Sequence, residues 1–155
     1  MKNSLPTEQY SELWRLLAQT KNAILKARTR ELLQYDVSAT QARFLFVIQG
    51  LGDKATPTEI GQRLLQEPSS VSEFLSRLER NGLVKKVRDL NKKNMVRVVL
   101  TEKGLEIHYR TMKRESVHKI MSSLSDEECQ QMRSYLLKLR RKALKEIGIN
   151  YDIPF

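Results

Sequence analysis

The side chains in this sequence that are placed to do chemistry are hydroxyls and cations. Ser69, Ser70, Ser72 and Ser76 crowd one stretch together with Glu73, Arg77 and Arg80. Soon after come Lys85, Lys86, Arg88, Lys92, Lys93 and Arg97, a run in which Asp89 is the only acid. Small hydroxyls permit close approach and can donate to or accept from base edges and phosphates. Arginines one helical turn apart can meet a phosphate or a guanine, and a cationic loop can lie along a backbone or enter a minor groove. Bland readings fit the same residues. Ser70 and Glu73 suit a capping box, Arg77 suits a solvated ion pair, and the cationic run suits a solvated hairpin.

Other chemistry finds little support. No glycine-rich phosphate loop, nucleophile elbow or usefully spaced acid pair is present, so no enzyme is expected. His108 and His118 lie ten residues apart on one predicted helix, and zinc-ligand spacing is absent. No metal or other cofactor is expected. Cys129 is the single cysteine, which excludes a disulfide within the chain and fits a reducing cytoplasm. Asp126, Glu127 and Glu128 beside it oppose thiolate formation, so an inert thiol is expected.

The elements that must position these residues follow from periodicity and caps. Leu13, Leu16, Leu17, Ile24, Leu25, Leu32 and Leu33 recur at helical spacing, and predict one long helix over Thr7–Tyr35. A second runs from Ala39 to Gln49, capped by Ser38 or Thr40, with Phe44, Leu45, Val47 and Ile48 on its buried side. Thr56-Pro57-Thr58-Glu59 opens a third, with Ile60, Leu64 and Leu65 facing inward. A fourth, from Ser69 or Ser70 to Asn81, has Val71, Phe74, Leu75 and Leu78 as its apolar positions. After Gly82 the period changes. Leu83–Arg88 and Met95–Leu100 predict a two-stranded hairpin with a basic tip. Helix resumes at Thr101-Glu102-Lys103-Gly104 and is expected to run to Leu124, burying Leu105, Met112, Val117, Ile120 and Leu124. A capping box at Ser125–Glu128 starts the last helix, whose Met132, Leu136, Leu139, Ala143 and Ile147 repeat at spacings of three and four before Gly148 ends it.

The fold class is therefore mainly α with a small antiparallel β-hairpin. Residues 36–104 form a winged helix-turn-helix lobe, and 1–35 with 105–155 form a helical dimerisation region. The long outer helices carry apolar stripes with no sheet to cover them, which implies a homodimer. In a helix pair of this kind the second helix enters the major groove of double-stranded DNA. The net charge of +10 favours a polyanionic partner. No apolar run reaches the ~18–20 residues that cross a bilayer, and the opening Met1–Pro6 lacks a signal peptide's apolar core. No membrane partner is expected, and the chain reads as cytoplasmic. A winged helix whose basic face meets an acidic protein is the alternative to DNA binding.

The stretch Ser69-Ser70-Val71-Ser72-Glu73-Phe74-Leu75-Ser76-Arg77-Leu78-Glu79-Arg80-Asn81-Gly82-Leu83-Val84 resembles the recognition helix and start of the wing in the MarR family. Leu100-Thr101-Glu102-Lys103-Gly104 resembles the junction after that wing. Thr58-Glu59-Ile60-Gly61 and Thr40-Gln41 match the starts of earlier helices, and the likeness extends from about Glu8 to Gly148. The resemblance implies a dimeric transcription regulator, mostly repressors, many of them released from DNA by a small aromatic ligand or by cysteine oxidation. It would place an aromatic effector pocket among Trp14, Tyr10, Phe44, Phe46, His108 and Tyr109, although plain core packing accounts for the same rings. It also implies an Asp-x-Arg wing tip. Here Lys92 and Asn94 stand at those positions, with Lys93 between them and Arg97 following. A lysine is a flexible point charge and reads groove shape less sharply than a guanidinium. The DNA-binding residues expected are Ser69, Ser70, Ser72, Ser76, Arg77, Arg88, Lys92, Lys93 and Arg97.

Overall fold

Helix starts in this chain are set by short polar side chains, and most of the expected ones form. The computed structural model describes residues 6–89, 92–93 and 95–154. Helix α1 spans Pro6–Leu32 and tightens into a 3-10 turn over Leu33–Tyr35, so its last expected turn is not α-helical. Ser38 caps α2 (Ala39–Leu51) in a reciprocal box with Gln41, and the helix runs two residues past Gln49. Thr56 caps α3 (Pro57–Leu64) by accepting from the Glu59 amide at 3.2 Å. Ser125 and Glu128 form the expected box at the start of α7 (Asp126–Glu146).

Helix α4 (Pro68–Arg80) departs from expectation at its start. Proline has its φ preset for a first helical position, and Pro68 begins the helix ahead of Ser69 and Ser70. Glu67 is the N-cap, without a side-chain bond, so no capping box forms from Ser70 and Glu73. Leu65 does not face inward as expected. It takes a left-handed φ of 54° in the turn between α3 and α4 and stays exposed. That geometry lets the Leu65 and Gln66 amides return to the Gln62 and Gly61 carbonyls, closing α3 in one step.

The hairpin pairs β1 (Val84–Asp89) with β2 (Met95–Leu100), in register from Val84↔Leu100 to Asp89↔Met95. Thr101 staples its base. The Thr101 hydroxyl donates to the Gly82 carbonyl at 2.6 Å and accepts from the Gly104 amide at 3.0 Å. The Thr101 amide donates to the Leu83 carbonyl. Gly104 is required by this close approach, because a Cβ there would sit 2.0 Å from the Leu83 carbonyl oxygen.

The single helix expected from Thr101 to Leu124 is two helices. Helix α5 (Glu102–Thr111) ends, Arg114 takes a left-handed φ of 49°, and α6 (Glu115–Met121) begins. The amides of Glu115 and Ser116 donate to the Glu31 carboxylate of α1 at 3.0 and 3.2 Å. A carboxylate from another helix thus satisfies donors that the break exposes. Met112 sits at the break and is exposed, contrary to expectation, while Leu105, Val117, Ile120 and Leu124 are half-buried.

The core lies in the middle lobe. Phe44, Leu45 and Ile48 of α2 meet Ile60 and Leu64 of α3, Val71, Leu75 and Leu78 of α4, and Val84 and Val98 of the hairpin. The outer helices are different. Leu13, Trp14, Leu16 and Leu17 of α1 and Tyr135, Leu136 and Leu139 of α7 are exposed, as is Ile147 just beyond. In α7 only Leu144 is buried among the described residues.

Candidate nucleic-acid interface

Helix α4 buries Val71, Leu75 and Leu78 and turns its serines outward. Ser69, Ser70 and Ser72 are exposed in its first turns. Ser76 is half-buried; its hydroxyl donates to the Ser72 carbonyl at 3.0 Å and accepts from the Lys86 ammonium at 3.5 Å. Glu73 accepts from Arg77 at 2.9 Å across one turn, and the Arg77 guanidinium lies 5.5 Å from the Phe74 ring centre. The ion-pair reading of Arg77 is therefore what the free chain adopts, with Glu73 as its partner rather than as a cap. Arg77 is still 52% exposed, and an exposed pair of this kind is worth only about 0.3–0.5 kcal/mol.

The wing stands directly beside this face. Lys86 reaches from β1 to Ser76 and to Glu79, the latter at 3.6 Å. Lys85, Arg88, Lys92 and Lys93 are exposed. At the tip the Lys92 amide donates to the Asp89 carbonyl, the Met95 amide donates to the Lys92 carbonyl, and Lys93 takes φ 48°. Asn94, the residue at the arginine position of the resemblance, lies outside the described residues. Arg97 differs from the other wing cations. Its guanidinium pairs with Asp53 at 2.8 Å, and its side chain is only 26% exposed.

Of the aromatic residues expected to share an effector pocket, Phe46, His108 and Tyr109 adjoin within one chain, whereas Phe44 and Trp14 lie elsewhere. Phe44 is buried in the lobe core, with its ring 4.4 Å from that of Phe74. Trp14 is 69% exposed on α1. His108 is buried, and it lines a cavity of about 170 Å³ with Phe46, Leu25, Arg28, Arg43 and Arg114. The Arg114 guanidinium stacks 4.5 Å from the Phe46 ring centre. Burial and, second, the charge of Arg114 hold the His108 imidazole below its ordinary value, which favours the neutral ring. Tyr109 is exposed, 5.4 Å from His108 ring to ring. Cys129 is exposed in the first turn of α7. No group of three or more metal-ligating side chains is found among the described residues.

Three contacts near the site escape sequence reasoning. Asp53 reads only as a turn residue, yet it holds Arg97 across 44 positions. Glu31 carries no motif, yet it caps α6. Arg114 has no periodic signature, yet its left-handed backbone places it over Phe46. In each case the partner lies far along the chain or the backbone leaves its regular path.

Comparison with known proteins places this architecture. A family model described as the MarR family matches residues 35–93. The uncharacterized HTH-type transcriptional regulator YsmB of Bacillus subtilis (strain 168) is 28% identical over 142 residues, spanning 90% of this chain and 96% of that relative. An organohalide-sensing RdhR transcriptional regulator, solved with 2,4-dichlorophenol bound, is 35% identical with a TM-score of 0.79, covering 91% of this chain and 83% of that one. A MarR family protein from Bacillus stearothermophilus is 32% identical with a TM-score of 0.65, covering 90% and 99%. No helix among the described residues is long and apolar enough to cross a membrane.

Proposed function

The chain belongs to the MarR family of transcriptional regulators, and on that footing we propose that it is a repressor that binds a pseudo-palindromic operator as a homodimer. One observation carries the DNA-binding reading. The exposed serine face of α4 and the exposed wing lysines adjoin, joined where Lys86 meets Ser76. A major-groove reader and a backbone clamp thus occupy one continuous surface. Ser69, Ser70, Ser72 and Arg77 are the residues nearest to base edges in this reading, with Ser76 deeper at the join. Arg88, Lys92 and Lys93 neutralise phosphates. Lysines at the tip suit charge neutralisation better than groove-shape readout.

Residues 36–104 are the DNA-binding lobe in this reading, and 1–35 with 105–155 supply the dimer contacts. The support is the set of apolar side chains that α1 and α7 leave uncovered in one chain. Repression follows from occupying a site that polymerase needs, and the cytoplasm is the expected compartment.

An aromatic effector is proposed at the cavity beside Phe46 and His108. A cavity near 150 Å³ holds a benzene-sized ring, and this one measures about 170 Å³. The 2,4-dichlorophenol held by the organohalide-sensing relative is of that size class.

The test is selection of duplexes from a random pool with the purified chain. The expected product is an inverted repeat with half-sites roughly 10 bp apart, centre to centre. A pool with no enriched sequence would contradict operator recognition, and a stable complex with an acidic protein in place of DNA would favour the interaction-module reading.

A further inference from the structure

Arg97 lies on β2, and its ion-pair partner stands outside the wing. Its partner, Asp53, stands on the 3-10 turn Gly52–Lys54 between α2 and α3. That turn is tightly made. Gly52 supplies a φ of +53°, the Ala55 amide returns to the Gly52 carbonyl at 3.1 Å, and the Thr56 amide returns to the Lys54 carbonyl at 2.8 Å. The same segment binds the hairpin edge, because the Val98 amide donates to the Ala55 carbonyl at 2.7 Å. The wing is therefore held to the turn ahead of α3 by one backbone bond and, one residue earlier on the strand, by the Arg97–Asp53 ion pair. The Arg97 Nε is buried without a hydrogen-bond partner, so Asp53 is what orients the guanidinium.

We infer that Asp53 and Arg97 are positioning residues for DNA binding: their ion pair sets the angle at which the hairpin carries Lys92 and Lys93. This rests on the DNA-binding reading above. It replaces the expectation that Arg97 itself meets phosphate. It also has an unusual sign. Asp53 is 97% exposed on a lobe that faces a polyanion, so removing its charge should tighten DNA binding if only long-range electrostatics mattered. A positioning role demands the reverse.

The test measures binding of the selected duplex to wild type, Asp53→Asn, Arg97→Gln and the double variant over a salt series. Asp53→Asn is expected to weaken binding roughly two- to five-fold, the scale of an exposed ion pair. Arg97→Gln should weaken it comparably, and the double variant no further than the weaker single, as expected for coupled partners. The salt slope should match wild type in all three, because every phosphate stays neutralised. Amide exchange in the free protein should quicken in the hairpin of Asp53→Asn, with an unchanged melting temperature. Asp53→Asn that binds as tightly as wild type or tighter would overturn the inference. So would a slope reduced by about 0.9 in Arg97→Gln, the mark of a direct bond to phosphate. Wild type that binds no duplex at all would overturn the DNA-binding reading and this inference together.

Discussion

At the scale of single residues, the junction after the wing shows how one missing side chain sets the geometry of a lobe. Gly104 lets the first turn of α5 press against the backbone that leads into β1, and a methyl group there would meet the Leu83 oxygen at 2.0 Å. Overpacking costs about 1–3 kcal/mol where side chains can yield, and here the obstacle is a carbonyl. Gly104→Ala is therefore expected to lower the melting temperature by several degrees and to loosen the Thr101 bonds to Gly82 and Leu83. An unchanged melt would contradict the packing described. The Thr101–Gly104 spacing was legible in the sequence because the cap and the glycine are local. The pairing of Arg97 was not, because its charge suggested DNA while its partner in the free chain sits on another turn. Glu73 and Arg77 fell between these cases: an ion pair was expected of Arg77 but a cap of Glu73, and the structure pairs the two.

At the scale of elements, the break between α5 and α6 is held from outside. Glu31 accepts from the Glu115 and Ser116 amides and the Ser116 hydroxyl, and Arg28 of the same helix bonds both Glu31 and the Thr111 carbonyl. Burial pushes the Glu31 carboxyl up, but the bonds from Ser116 and Arg28 outweigh it and leave the group below its ordinary value. A carboxyl lowered on folding adds stability that is complete above the unfolded value and is lost as pH falls through the folded one. Protection of the α6 amides relative to their intrinsic exchange rates should thus hold steady from neutral pH down to the ordinary glutamate range and fall below it. Glu31→Gln should abolish that acid step and lower stability by about 1.5–3 kcal/mol, the scale of bonds to a charged group. An acid step that persisted in the variant would show that another group is responsible. Periodicity carried the predicted helix straight through this break, since apolar spacing continues across it. The cause, a carboxylate more than eighty positions away, leaves no local sign. The hairpin and the starts of α2, α3 and α7 were legible because their signals are caps and a change of period.

At the scale of the whole molecule, the chain has one well-filled lobe and outer helices with bare apolar faces. Leu139 on α7 and Trp14 on α1 are each more than half exposed, which is costly for isolated chains and ordinary for a shared interface. Leu139→Glu is expected to shift the chain from dimer to monomer in sedimentation and to weaken operator binding, while the lobe keeps its helical signal. A dimer undisturbed by that charge would place the interface elsewhere. The apolar stripes were legible from spacing, as was the basic lobe between them. What covers the stripes is a property of two chains and lies beyond any reading of one. In the proposed complex the α4 face and the wing grip double-stranded DNA through phosphates. The decisive measurement is the salt dependence of binding to the selected duplex, for wild type and for Lys92→Ala with Lys93→Ala. The expected result is a linear fall of log K with log salt, with a slope smaller by up to about 1.8 in the double variant, near 0.9 for each phosphate no longer neutralised. An affinity that barely changed with salt, or the same slope in both proteins, would contradict it.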